Sequence, residues 1–502
     1  MSTTIDSLDE TNGDLPVHYV EKENKTEEQT IESEADPYRV DFPSPSDPDD
    51  PKSWPVTRKW IVTGVLSATG LNRIMVSTIM APTLTNIASS LNMNDEESVM
   101  AMSVYLLATA FGPLLFGPLS EVYGRKPVLH GTNIWFLVWN IVCGFSASKG
   151  LLITSRFLAG FGASAIYALA GGVLGDIWPL EQRGKSMAMY ILIPMLGAAI
   201  GPIVGGFIAE GTTWRWIFWS TSILQAVMVL ASFFAFRETY APVILQRKAQ
   251  HLRKSTGNSR YYTQSEKELA GFSTTWNLQR SLTRSLRLLA FHPIIQVQAC
   301  LSAFNYGILY IMLSTFAGLW TSQYDESISI SGLHYISICL GEVIGALVTG
   351  HLMDAIFSRL KERAKGAVAP EYRVPLMMPY SILAPAGLLI YGWAANAHLH
   401  WLIVDIGAAI LAFSMTFSGQ ALQAYIIDCY GHHASSASAA SQFLRSLTAF
   451  GFPLFAPAMY RVMGYGWGNT FLGCLAAVIG VISPLLLWFY GARLRQKVSL
   501  GD

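Results

Sequence analysis

Residues Gly117–Pro127 read GPLSEVYGRKP. They close an oily run that begins near Val99, and they set an acid, Glu121, and two bases, Arg125 and Lys126, within six positions. About twenty apolar residues suffice to cross a bilayer's hydrocarbon, so the crowded charges mark a point where the chain leaves a membrane. Composition points the same way. The chain has 502 residues, 51% of them hydrophobic and 14% charged, against roughly 25% charged in soluble proteins. That length allows three or four soluble domains, but a mean hydropathy of +0.35 argues instead for one polytopic membrane unit.

Working outward from the quoted turn, apolar segments fall near 60–82, 99–119, 128–148, 151–175, 186–209 and 216–236, then near 295–321, 329–352, 375–395, 400–427, 437–459 and 468–490. Each is long enough, at about 1.5 Å per residue, to cross a membrane. Lipid offers backbone groups no partner, so all twelve are expected to be helices. The fold expected is all-α and integral to the membrane, twelve helices in two pseudo-symmetric bundles of six. The boundaries expected are an acidic tail over 1–55, a first bundle over 56–240, a linker over 241–292, a second bundle over 293–492 and a short tail over 493–502.

Charge orients the bundle. Between Arg237 and Arg287 the linker carries ten Lys and Arg against three Glu, and Arg493, Arg495 and Lys497 follow the last span. Loops on the opposite side hold Asp95, Glu96 and Glu97, or Asp325 and Glu326, without a base. The positive-inside rule puts both termini and the linker in the cytoplasm. The sequon Asn24-Lys25-Thr26 would then lie on the wrong side for glycosylation. Residues 1–50 hold fifteen acids against Lys22, Lys25 and Arg39, a composition expected to stay disordered. No apolar core suggests a cleaved signal. The five cysteines (143, 300, 339, 429 and 474) show no metal or disulfide spacing and are expected to pack as small apolar residues.

The second half echoes the first. Gly350, Leu352 and Asp354 keep the spacing of Gly117, Leu119 and Glu121, with Arg359 placed as Lys126 is. Gly201-Pro202 is answered by Gly451-Phe452-Pro453. Duplicated six-helix bundles with a site between them at mid-membrane are the architecture of secondary transporters.

GPLSEVYGRKP resembles the signature between spans two and three of the major facilitator superfamily, and LGAAIGPIVGG (Leu196–Gly206) resembles the span-five motif of its antiporter branches. DPDDPKSWP, WRWIFW, RETYAPVIL, YGILY, PEYRVP and YIIDCYGHHASSASAASQFLRS resemble the fungal twelve-span drug:proton antiporters. The resemblance covers roughly residues 47–495. It implies efflux driven by a proton gradient, without a cofactor, of drugs, polyamines or secondary metabolites. It also implies a helix N-terminus, that of span eleven, opposite Glu121, and a functional role for the span-four arginine, Arg156.

The residues themselves suggest three groups. Gly117, Glu121, Gly124, Arg125 and Lys126 suit a conformational latch, since a simple positive anchor needs neither the acid nor the two glycines; Arg125 is expected to pair with Asp176. In span five, Gly197, Gly201 and Gly205 lie four apart with Pro202 and Gly206 beside them, which suits close helix contact and a gating bend. Ionisable residues within spans are costly and functional by default. Those candidates for substrate or proton coupling are Arg156, Glu342, Arg73 and Asp405, the last two being alternatively residues that reach for the interface or pair with each other. Tyr306, Tyr310 and Trp320 offer aromatic surface to a flat or cationic ligand. Asp428 and Arg445 are expected to form a structural pair, and His334, His351 and His398 to be interfacial.

No P-loop, HExxH or GxSxG is present, which argues against an ATP-driven pump or a membrane hydrolase. Neither a metal nor nucleic acid is expected. The function expected is proton-coupled export of small amphipathic compounds by a monomer in the plasma membrane, or in a vacuolar one. The alternatives are a polyamine or other organic-cation exporter, a nutrient importer and a transporter-like receptor.

Overall fold

A computed structural model describes residues 36–42, 47–269, 274–364, 369–430 and 434–498. The first span, Val56–Thr78, is followed by Asp95–Tyr123, Arg125–Gly144 and Lys149–Ile177. The fifth is Leu180–Met195 continued by Gly197–Gly211, and the sixth is Trp216–Ala235. The second half begins with Pro293–Gln323 and with Ile328–Arg363, which is interrupted at His334. Tyr380–Asn396 and Trp401–Tyr430 come next. The continuous run Ala434–Val498 supplies the last two spans, because it turns at Gly464, where φ is +69°. Ten segments meet a length-and-hydropathy test for crossing a membrane. Dividing the last at Gly464 and adding Arg125–Gly144, which its polar residues keep below that test, gives the twelve expected.

Local chemistry explains where these helices begin and end. Asn94 Oδ1 accepts from Glu97 N at 2.7 Å and Glu97 Oε2 from Asn94 N at 3.0 Å, a reciprocal cap at the start of span two. Three acids, Asp95, Glu96 and Glu97, occupy its first turn, where the helix dipole favours them. The same helix ends at Gly124, whose φ of +100° suits a residue without a Cβ. Span nine starts later than hydropathy suggests: Pro370–Met377 winds as a tight 3-10 segment before the α-helix opens at Tyr380. Large apolar side chains on the outer surface are exposed, Phe234 to 89% and Val462 to 84%. A chain with so much uncovered apolar surface along its spans requires lipid around it.

The linker forms helices at Ala241–Thr256, Gln264–Leu269 and Thr274–Phe291. Part of the acidic tail is ordered, contrary to the composition argument. Val40 N donates to Tyr262 O (2.8 Å) and Tyr262 N to Tyr38 O (3.0 Å), so residues 36–42 form a small unit with 245–269. Backbone pairing offsets the low hydrophobicity there. The rest of the tail through residue 35, its sequon and residues 499–502 lie outside the described residues. All twelve spans belong to the other, larger unit.

Candidate functional site

Because twelve crossings return the chain to the side it started from, the bundle has a linker side and a far side. On the far side the halves are tied together. Glu210, at the end of span five, accepts from Ser329 N at 3.0 Å and also from the Ser329 hydroxyl at the start of span eight. Asp95 pairs with Arg461 at 2.7 Å, joining spans two and eleven. Backbones close the remaining space. A Cβ on Gly206 would stand 2.7 Å from Ile328 O, and one on Gly332 would stand 2.7 Å from Pro202 O.

The span-five glycines thus serve two faces. Gly197, Gly201 and Gly205 press on span one, where added Cβ atoms would meet Leu71 O, Met75 O and Ile79 O at 2.7, 2.6 and 2.3 Å. Gly206 faces the other half. The helix breaks at Leu196, just after Pro194, while it continues through Pro202. The bend expected at Pro202 therefore sits earlier, where Pro194 has already removed one donor.

Behind the far-side seal lies a buried cluster. His334 is 8% exposed, with Nδ1 2.8 Å from Asp405 and Nε2 2.9 Å from Glu326. Its ring stacks on Trp320 at 3.7 Å. Two expectations are corrected here. Asp405 neither reaches the interface nor meets Arg73, because His334 takes it. Trp320 is fully buried against the same imidazole rather than open to a ligand. His351 and His398 are exposed at span ends.

Arg73 is completely enclosed within the first half. Its Nη2 donates to Asn133 Oδ1 at 2.6 Å and its guanidinium lies 3.5 Å over Phe136, while Nε and Nη1 find no partner among the described residues. Arg156 is enclosed as well, but it is satisfied: its nitrogens reach Val76 O (2.9 Å), Ala101 O (3.3 Å) and Met102 O (3.3 Å). Those bonds tie span four to spans one and two.

On the linker side, Arg125 meets Asp176 as the sequence predicts, at 3.4 Å. It also donates to Ser120 Oγ at 2.6 Å and lies 4.8 Å over Tyr240. Burial raises the Tyr240 phenol above its ordinary range, nearby Glu121 adding to the shift and Arg125 opposing it. The acid on the span-three N-terminus is Glu238, whose Oε1 accepts from Arg125 N at 2.8 Å. A Cβ on Gly124 would strike that carboxylate at 2.2 Å, which accounts for the glycine. Glu121 is exposed, and the residues that precede span eleven, where a partner for it is expected, lie outside the described residues. Neither Gly117 nor Gly350 has a neighbour where a Cβ would stand. The close approach expected at Gly117 is therefore absent from this conformation. Lys126 is half-buried beside the cluster, its backbone N 3.4 Å from Glu238.

At mid-depth the halves face each other across a polar and aromatic lining. Thr109 Oγ1 and Ser446 Oγ are 3.0 Å apart, and Phe111 meets Phe443 edge-on at 5.7 Å. Tyr310 bonds to Ser77 across the interface and stands 6.2 Å from Tyr306, ring to ring. Tyr167 keeps 38% of its surface exposed although it lies among Tyr105, Tyr190, Tyr306 and Tyr310. Exposure so deep in the bundle is surface turned towards a cavity. Glu342 is half-buried on the same wall, within charge range of Tyr310, and has no hydrogen-bond or ion-pair partner among the described residues.

Arg445 belongs to this lining and not to the pair expected with Asp428, which binds Arg373 instead at 3.0 Å. Its guanidinium lies 4.0 Å over the Tyr306 ring. Sequence reading missed it because Asp428 stands near it along the chain. Its depth was the usable signal: eleven residues past Ala434, about 16 Å by helical rise. All five cysteines are free; Cys143 is buried, while Cys300 and Cys474 are exposed.

The model of the Major Facilitator Superfamily matches residues 65–453. The chain belongs to that superfamily. A probable efflux pump of Aspergillus flavus is 54% identical over 84% of this chain and 99% of its own length. An efflux pump of Penicillium aethiopicum is 41% identical over 92% of each. Among solved structures, a partially occluded, inward-open conformation of the xylose transporter XylE from E. coli superimposes with a TM-score of 0.63 at 16% identity, covering 86% of this chain and 97% of the other. That likeness is one of fold. The superfamily consists of membrane transporters for small molecules, and this chain has their two-bundle, twelve-helix arrangement.

Proposed function

We propose that the protein exports small amphipathic compounds in exchange for protons, by alternating access of the cavity between its halves. The observation that carries the coupling is Glu342, an unpartnered carboxyl on the wall of a cavity sealed at the far side. A carboxyl that is neutral when enclosed and ionised when wetted can carry a proton across as the halves rock. The direction rests on relatives named efflux pumps and on the LGAAIGPIVGG stretch of span five. With the linker side in the cytoplasm, as loop charge suggests, this conformation is shut towards the outside. The cavity's aromatic lining suits amphipathic substrates. No cofactor enters this reading; the proton gradient supplies the energy to a monomer in the plasma membrane.

Cells overexpressing the chain are expected to accumulate less of a toxic amphipathic compound, and a protonophore is expected to abolish the difference. Export that persists under protonophore at constant ATP contradicts the reading. Glu342 also favours a second one, export of a polyamine or other organic cation, in which proton and substrate compete for the carboxylate. Competition between spermidine and protons for the wild-type protein, absent in Glu342→Gln, would favour that alternative.

A further inference from the structure

Within the cavity one charge stands out for what surrounds it. Arg445 carries a planar guanidinium, built to grip planar anions with two parallel donors. Its Nη2 donates to Gln442 Oε1, and its Nε is buried without a partner. Among the described residues no ion pair holds it: the acid nearest along the chain, Asp428, is taken by Arg373. Arg445 is half-buried on the cavity wall, and Gln442, being neutral, supplies it no counter-charge. The guanidinium carbon also stands 4.0 Å from the centre of the Tyr306 ring. Tyr167 and the Phe111–Phe443 pair add ring surfaces on both sides of the interface.

The bonds of this arginine lead out of its own half. Gln442 Nε2 donates to Ser446 Oγ at 2.8 Å, and Ser446 Oγ meets Thr109 Oγ1 of span two at 3.0 Å. A group that draws Arg445 away from Gln442 therefore acts on a contact between the halves. Glu342, the unpartnered acid, also faces Tyr310. Binding at the arginine and protonation at the carboxyl consequently share one wall.

We infer that Arg445 is the substrate-recognition residue of this cavity and that the preferred substrates are planar aromatic compounds bearing an acidic group, a carboxylate or an acidic phenol. The anion takes the free edge of the guanidinium, and the ring lies along Tyr306 and the exposed surface of Tyr167. This rests on the transport reading above and narrows its substrate class. It assigns the anion to span eleven and leaves Glu342 to the proton, so the two need not compete for one group.

The test uses the full chain in lipid nanodiscs, with no gradient, and three fluorescent probes that share one ring: 9-anthracenecarboxylate, 9-anthracenemethanol and 9-anthracenemethylamine. The wild type is expected to bind the carboxylate roughly tenfold or more tightly than the alcohol, the size of effect that a charge-assisted hydrogen bond supplies. Arg445→Gln is expected to erase that preference, carboxylate and alcohol then binding alike. Arg445→Lys, which keeps the charge and loses the fork, is expected to retain part of it and guards against a poorly folded Gln variant. Equal binding of carboxylate and alcohol by the folded wild type overturns the inference, as does failure to bind any probe or a preference that survives Arg445→Gln. Tightest binding of the amine, lost in Glu342→Gln, overturns it in favour of a cation site. Because binding is read without a gradient, failure of proton-driven transport leaves this result standing. Loss of the carboxylate preference in a protein that still exports strikes this inference alone.

Discussion

Single side chains decide what the two ends of this molecule can do. Glu238 holds the start of span three through main-chain donors, and Arg125 bridges that point to Asp176. The Arg125–Asp176 pair contributes on the order of 1 kcal/mol. That is enough to bias a two-state equilibrium severalfold without threatening the fold. Arg125→Ala is expected to insert and express normally yet turn over several times more slowly, read as initial transport rate per molecule at the membrane; an unchanged rate removes the cluster from the conformational cycle. Glu342→Gln keeps shape and abolishes titration. It is expected to bind substrate but to lose its response to an imposed pH gradient, measured as transport between pH 5 and 8. A profile that overlays the wild type makes Glu342 a packing residue. Arg125 and Asp176 were legible because a short motif and one acid at a span end bring them together. Glu238 was not, since it lies 113 residues from its partner, and RETYAPVIL, the stretch that contains it, says nothing of what it meets. Arg445 and His334 show the same limit: a nearby Asp428 and a position at a span's end suggested neighbours that the tertiary fold does not supply.

At the scale of the helix, close approach is a property of faces. Span five sets three glycines against the backbone of span one, so a methyl at Gly205, 2.3 Å from Ile79 O, must force the helices apart. Gly205→Ala is expected to destabilise the protein by roughly 1–3 kcal/mol, the usual cost of overpacking, seen as a lower midpoint of thermal unfolding in nanodiscs. Gly117→Ala meets open space and is expected to leave that midpoint unchanged. If the two variants unfold alike, the faces have been misread. Existence and order of the twelve helices were legible because hydrophobic length is a property of composition alone. Their interruptions at Leu196, His334 and Gly464 were not, because a break in a helix depends on what packs against it.

For the molecule as a whole, alternating access requires the far-side seal to open once per cycle. Glu210 of one half caps the first turn of span eight in the other, and Asp95–Arg461 stands beside it in chain topology, on the same side. A Glu210→Cys, Ser329→Cys double variant should cross-link under oxidation, stop transport and recover it with reductant; transport by the fully cross-linked protein means the halves do not part there. The account's central claim is that a proton gradient alone drives export through this cavity. Its most direct test is uptake of an amphipathic substrate into inside-out vesicles, free of ATP, under an imposed pH difference with the lumen acidic. Accumulation above the equilibrium level, collapsing when the gradient is dissipated, is the result expected. Accumulation indifferent to the gradient, or uptake that only equilibrates the substrate, contradicts it.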